Sequence, residues 1–401
     1  MVSLFSKAKA QLARGVDRAF AGTALNPPQV LRRRSGSESL GHADRMRALN
    51  LIAGFYNREQ FVPREGPFFA APPAIEPKVK RVRTLGSRGD AGEVIDLSWA
   101  SEFQPLWSSE ALVSHLGSKA AHELLRAGID PAFQGLDLRT LGVDRSGPLA
   151  AKYNGVLQNR SGHARWWRHS GAPRPAVVIL HGYMVGEYLI EERMWPVQEL
   201  FDRGVDVVFS VLPFHGPRRS PTRGLLPPAF PSGDPRFTIE GFRQLAFDHR
   251  ALFDYLERMG TPSLGVMGVS LGGYGAALLS TLDERLELSV MFIPLAAIED
   301  FAHTHGRLVG TKEQQLAQRE AMQKANFAVS PFARPPLLSG EQVTIIAGDA
   351  DVITGGRHTE RLAQHFDAEV SRFLGGHLLH FGRTHAFGAM WRLLARQGFT
   401  R

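Results

Sequence analysis

Ser270 lies in Gly268-Val269-Ser270-Leu271-Gly272, between an apolar run at 264–267 and a helix-forming run at 274–279. A strand that turns sharply into a helix pushes a serine hydroxyl out to where a base can reach it. The flanking glycines suit such a turn, because backbone and helix come close where a Cβ would clash. A hydroxyl is a useful nucleophile only when a base takes its proton. The base is usually histidine, oriented in turn by a buried carboxylate. An acid and then a histidine are therefore expected downstream, each at the end of a strand. A bare Gly-x-Ser-x-Gly also occurs as an ordinary turn, so the flanking elements and downstream partners carry the argument.

The expected acid is Asp351, in Gly348-Asp349-Ala350-Asp351 after the apolar run at 343–347. Asp349 suits a structural role, bonding loop N–H groups; Glu299 and Asp300 are further alternatives, and all four could simply be turn or cap residues. The expected base is His377, in Gly375-Gly376-His377, with His385 and His380 as rivals. Two N–H donors should face the oxyanion of an acyl intermediate. The N–H of Leu271 is one, and a residue of His181-Gly182-Tyr183-Met184 supplies the other, Tyr183 first and Met184 as the alternative. His215, Arg218 and Arg219 follow the apolar run at 205–212. That end of a sheet is where ligands bind, so these residues, with His181 and Gly182, are candidates to contact substrate, the arginines through a carboxylate or phosphate. A loop that pairs internally is the competing reading.

The elements that must position these residues follow from the pattern. Short continuous apolar runs at 177–180, 205–212, 264–267, 288–294 and 343–347 have the composition of strands buried on both faces. They alternate with helical spacing at 187–203, 242–256, 357–366 and 386–396, and 369–374 and 164–169 complete the strand set. Alternation of this kind implies right-handed crossovers and a mainly parallel sheet. The stretch 296–339 breaks the rhythm with a polar helix at 311–325 and several prolines, and is expected to be a cap insertion or a surface decoration.

Residues 1–90 form an N-terminal extension, and 91–401 the main domain with its core at 164–401. In the extension, 4–20 has the spacing of a basic amphipathic helix with Leu4, Phe5, Ala8, Leu12, Val16 and Phe20 near one face. It could lie on a membrane surface, or pack on its own domain. Residues 31–39 suit a solvated loop, 48–56 a helix, 61–77 a wrapping arm and 78–83 an edge strand, while 118–127 is a helix expected in the main domain.

The 401 residues carry 47 basic and 39 acidic side chains, a net charge of +8, and no cysteine. Disulfides, a thiolate nucleophile and cysteine-ligated metals are excluded. No nucleic-acid-binding motif is present. The first fourteen residues lack the apolar core of a signal peptide, and no stretch reaches the ~18 apolar residues of a spanning helix, so the cytoplasm is the expected location. Composition says nothing of oligomeric state.

Four motifs in this order, His181-Gly182, Gly268-Val269-Ser270-Leu271-Gly272, Gly348-Asp349-Ala350-Asp351 and Gly376-His377, resemble those of the α/β-hydrolase superfamily. The resemblance runs from about residue 164 to the end, and Leu212-Pro213-Phe214-His215-Gly216-Pro217-Arg218-Arg219 is similar to a segment of a poorly characterised subgroup with a long N-terminal extension. It implies an eight-stranded, mostly parallel sheet with helices on both faces and a Ser-Asp-His triad. The expected chemistry is cleavage of a small-molecule carboxylic ester, lipid-like in one version, without metal or cofactor. Acyl transfer, amide hydrolysis and a non-catalytic binding protein on the same fold are the alternatives. The fold itself hosts many chemistries and fixes no substrate.

Overall fold

The apolar runs that must be covered on both faces form the middle of a nine-stranded sheet. The structure, a computed structural model, describes residues 4–23, 41–57, 59–66, 68–86, 91–106, 153–224 and 226–400. The expected loop at 31–39 and helix at 118–127 lie outside the described residues. In chain order the elements are α1 Leu4–Thr23, α2 His42–Tyr56, β1 Lys78–Leu85, β2 Gly92–Ala100, β3 Ser161–His169, β4 Ala176–Leu180, α3 Tyr188–Met194, α4 Val197–Asp202 and β5 Asp206–Ser210. Then follow α5 Pro235–Arg258, β6 Leu264–Val269, α6 Leu271–Leu279, β7 Leu286–Phe292, α7 Ile298–Thr304, α8 Lys312–Asn326, β8 Val343–Gly348, α9 Gly355–Phe366, β9 Val370–Phe373 and α10 Arg383–Arg396.

The strand order is β1-β2-β3-β5-β4-β6-β7-β8-β9. The first three pairings are antiparallel and the other five parallel. This is the α/β-hydrolase fold, with nine strands rather than eight. The additional strand is β1, whose side chains are almost all exposed, as an edge strand's can be. Its partner β2 is partly buried on both faces, with Val94 in one apolar core and Ile95, Leu97 and Trp99 in the other. Two apolar cores cover the sheet. One includes Val178, Leu245, Leu252, Val266 and Leu278; the other includes Val177, Ile179, Met267, Val290 and Leu393. Parallel strands need this double cover.

Local chemistry sets several boundaries. Helix α5 starts at a proline behind Asp234, whose carboxylate accepts the N–H of Arg236. The single helix expected at 187–203 is instead two short ones, because Pro196 cannot continue α3 and has no N–H to give. Helix α8 opens with a capping box between Thr311 and Gln314. It packs on α2, which lies in the first core through Ala48, Ile52, Ala53 and Tyr56. No helix among the described residues is long and apolar enough to cross a membrane.

Helix α1 forms where its spacing predicts a helix, but it docks on a different face. Leu12 is 56% exposed and Ala8 is also exposed, while Ala13 and Asp17 are fully buried. Ala13, Val16, Asp17 and Phe20 follow the i, i+3, i+4, i+7 spacing of one helical face.

Candidate active site

Ser270 sits between the last residue of β6 and the first of α6, with φ 54° and ψ −111°. A β-carbon residue rarely occupies this region, and such strain gathers at functional sites. The turn closes because both neighbouring glycines lack a side chain. A Cβ on Gly268 would lie 2.1 Å from the Gly272 carbonyl oxygen, and one on Gly272 would lie 2.1 Å from that of Leu180. The serine backbone is tied on both sides, its N–H donating to Phe292 at 3.0 Å and its carbonyl accepting from Leu295 at 2.9 Å.

The structure brings Ser270, His377 and Asp351 together. His377 Nε2 lies 2.9 Å from Ser270 Oγ, and His377 Nδ1 lies 2.9 Å from Asp351 Oδ2. Asp351 is positioned by the turn after β8. Its Oδ1 accepts the N–H groups of Ile353 at 2.8 Å and Thr354 at 3.0 Å, and Oδ2 lies 2.7 Å from the Thr354 hydroxyl. Burial alone would push the Asp351 pKa up, but the His377 charge and hydrogen bond, with those of Thr354 and Ile353, hold it well below the ordinary carboxylate range. Burial likewise opposes charging of His377, yet Asp351, by charge and hydrogen bond, and the charge of Asp17 raise its pKa above the ordinary 6.5. The imidazole is thus poised to accept a proton, and the carboxylate remains ionised beside it.

The rival acids and bases are held elsewhere. Asp349 is half exposed and faces Arg372. Asp300 pairs with Arg319 at 2.5 Å and with Arg361. Glu299 is buried, which raises its pKa. His385 is exposed on α10. His380 braces the base loop, its Nε2 lying 2.7 Å from the His377 carbonyl oxygen, and burial lowers its pKa to about 4.

Leu271 is the first residue of α6, so its N–H has no helical carbonyl behind it and sits at the positive end of the helix dipole. The second donor loop passes beside the serine, since a Cβ on Gly182 would lie 3.6 Å from Ser270 Cβ. Tyr183 and Met184 form its turn, with Met184 at φ 68°. His181 holds that loop rather than facing outward. Its Nδ1 lies 2.7 Å from the Gly182 carbonyl and its Nε2 accepts the Leu212 N–H at 3.0 Å. Burial lowers its pKa to about 4, so it stays neutral and serves as a brace.

The loop after β5 separates two adjacent arginines. Arg218 is 1% exposed; it binds Asp248 Oδ2 at 2.6 Å and the Val211 and Asn159 carbonyls at 3.1 Å each. An arginine so enclosed has no face for a substrate anion, which corrects the expectation for this residue. Arg219 is half-buried and donates to the carbonyls of Gly224 and Leu226. His215 is fully buried, with Nδ1 2.9 Å from the Pro213 carbonyl. Its Nε2 meets no partner among the described residues, and its ring lies 4.9 Å from that of His181 and 5.9 Å from that of Tyr183. Burial pushes its pKa well down. Nearby in sequence, Glu191 of α3 is buried with both carboxylate oxygens unpartnered among the described residues, and burial raises its pKa to about 8.

One residue at this site escapes a sequence reading. Asp17 of α1 is 0% exposed. Its Oδ2 accepts the His377 N–H at 2.7 Å and its Oδ1 the Leu378 N–H at 3.0 Å. The only trace in the sequence is that Asp17 is the sole acidic residue of an otherwise basic helix.

Comparisons with known proteins follow the geometry only part of the way. No model of a known protein family matches the chain. Two uncharacterised proteins from two strains of Mycobacterium tuberculosis are 31% identical to it over 238 residues, covering 57% of this chain and 56% of each relative. The chain thus spans about half the length of these curated relatives. Among solved structures, an acetyl xylan esterase from Paenibacillus sp. R4 aligns at TM-score 0.49 and 14% identity over 80% of this chain and 89% of its own. A puromycin-hydrolysing peptidase of Mycobacterium tuberculosis aligns at TM-score 0.43 and 17% identity over 60% of this chain and 37% of its own.

Proposed function

We propose that this protein is a serine hydrolase that cleaves a carboxylic ester through an acyl-enzyme on Ser270. The observation that carries the reading is the unbroken line from Ser270 Oγ to His377 Nε2 and from His377 Nδ1 to Asp351, at 2.9 Å each. In the first half-reaction Ser270 Oγ attacks the acyl carbon as His377 takes the hydroxyl proton. The carbonyl electron pair moves onto oxygen, which the N–H groups of Leu271 and Tyr183 receive. The intermediate collapses, the ester C–O bond breaks, and His377 returns the proton to the leaving alcohol. Water, deprotonated by His377, then attacks the acyl-enzyme and releases the acid and the free serine. Asp351 stays ionised throughout, holding the imidazole tautomer and supporting the imidazolium.

The substrate side is assigned to the loops after β4 and β5. Arg219, Arg223 and Arg307 all act electrostatically on the Tyr183 phenol, opposing the rise that burial imposes on its pKa. Arg219 and Arg223 donate to main-chain carbonyls, so their charge favours an ester that carries a carboxylate or phosphate. Matched esters with and without such a group separate this from a neutral, lipid-like substrate: Arg219→Ala should raise KM for the charged ester alone. Transfer of the acyl group to an alcohol or amine, or cleavage of an amide, would use the same first half-reaction and differ in the products released.

A fluorophosphonate probe tests the central reading. Wild-type protein should be labelled on Ser270, located by mass spectrometry, and Ser270→Ala should not react. A folded wild type that no probe labels would make this a binding protein on a hydrolase fold.

A further inference from the structure

The mechanism uses Ser270, His377 and Asp351 and leaves Asp17 without a task, although Asp17 is as buried as any residue in the molecule. A buried carboxylate is costly unless hydrogen-bond donors converge on it. Here the donors are the N–H groups of His377 and of Leu378, at 2.7 and 3.0 Å. A third, the Val352 N–H, lies 3.5 Å from Oδ2. Val352 follows Asp351 directly, so one carboxylate binds the backbone of both loops that carry the proton-handling residues. Arg14 adds a tie, its Nη2 donating to the Asp349 carbonyl at 3.2 Å. The loop is shaped for this approach: a Cβ on Gly376 would lie 2.6 Å from Asp17 Oδ2 and 3.2 Å from the Ala13 methyl.

An anchor for a surface helix would need no such address. We propose that Asp17 is a positioning residue: through the main chain of His377, Leu378 and Val352, the α1 carboxylate holds the imidazole between Ser270 and Asp351. This rests on the serine-hydrolase reading for its consequence in catalysis, but the positioning itself is physical and measurable without a substrate. The groups facing His377 are Ser270, Asp351, the Thr354 hydroxyl at 3.4 Å from Nδ1, Asp17, and His380 on its carbonyl, with Arg383 acting on His380 in turn. Of these only Asp351 and Asp17 carry negative charge. Removing the Asp17 charge therefore lowers the proton affinity of His377 as well as loosening its loop.

The test uses full-length wild type, Asp17→Asn, Asp17→Ala and Gly376→Ala, each checked for fold by circular dichroism. Two quantities are measured against pH: the rate of fluorophosphonate labelling at Ser270, and the His377 imidazole titration by NMR, assigned with His377→Gln. Labelling should fall about 100-fold in Asp17→Ala, the loss expected when a reacting group is misplaced by about 1 Å. The His377 titration should move to lower pH in both Asp17 variants. Gly376→Ala, which displaces the carboxylate from the loop side, should move labelling and titration in the same directions and gives an answer if the Asp17 variants do not fold. Variants that melt earlier yet label at the wild-type rate, with an unmoved His377 titration, would reduce Asp17 to a helix anchor and overturn the proposal. A wild type that is not labelled overturns the hydrolase reading instead, and the titration still decides the role of Asp17.

Discussion

The two sides of Ser270 treat polar groups differently. On the β8–β9 side, Asp351 and His377 share a hydrogen bond, Asp351 is held well below the ordinary carboxylate range, and Asp17, His380 and Thr354 each meet a partner. On the β4–β5 side, burial keeps His181 and His215 neutral, and polar atoms of His215 and Glu191 meet no partner among the described residues. One side pairs its polar groups by charge and geometry, as the proton path proposed for it requires. On the other side the unpartnered atoms belong to buried side chains, so their cost falls on stability. The contrast implies that changes to Ser270 or His377 cost rate and leave the fold, while changes to Arg218 or Glu191 cost or restore stability.

The largest expected effect is on the first side. His377→Ala should reduce the rate at least about 10⁴-fold, comparable to Ser270→Ala, because members of a proton path act as a unit. Its thermal unfolding should stay close to wild type; a collapse of stability instead would dissolve the contrast. Next is Arg218→Ala, which strands Asp248 as a buried charge and should cost about 3–5 kcal/mol in denaturant unfolding. The adjacent Arg219→Ala should stay within about 0.5 kcal/mol, so equal losses would show that the loop is not divided as described.

Glu191 sharpens the comparison from the stabilising direction. Its folded pKa of about 8 lies above the ordinary 4.5. Below the unfolded value both states hold the proton and there is no penalty. As pH rises towards 8 the unfolded chain loses its proton first, and stability falls. Glu191→Gln removes that penalty, and at pH 7 should gain about 3 kcal/mol relative to its effect at pH 4. A pH-independent difference between the two proteins would refute the assignment. The smallest effect is a displacement of the pH–rate curve. His377 must be neutral to act as base, and its pKa is raised above 6.5, so the rising limb should lie above that pH and move down in Asp351→Asn.

These contrasts also mark what a sequence can convey. Ser270 was readable because its glycines are close-contact requirements a few residues apart, and because uninterrupted apolar strands and an amphipathic helix surround it. Asp351 and His377 were readable from the order of loops at strand ends. Pro196 splits the helix that periodicity predicts over 187–203. Spacing places Leu12 on the docking face of α1, whereas a carboxylate with two N–H donors turns Ala13 and Asp17 inward. Arg218 and Arg219 are adjacent in the sequence, and Asp248 on α5 with the Val211 and Asn159 carbonyls divides them. Such partners are long-range and mostly main-chain, and no local pattern encodes them.

The bond from Asp17 to His377 spans 360 positions of the chain. Closing so long a loop costs conformational entropy that grows only slowly with its length. Helix α1 meets the N–H donors of His377 and Leu378 only once the loop after β9 is in place. In the role proposed for Asp17, the loop that carries His377 is thus secured by a helix 360 positions earlier in the chain.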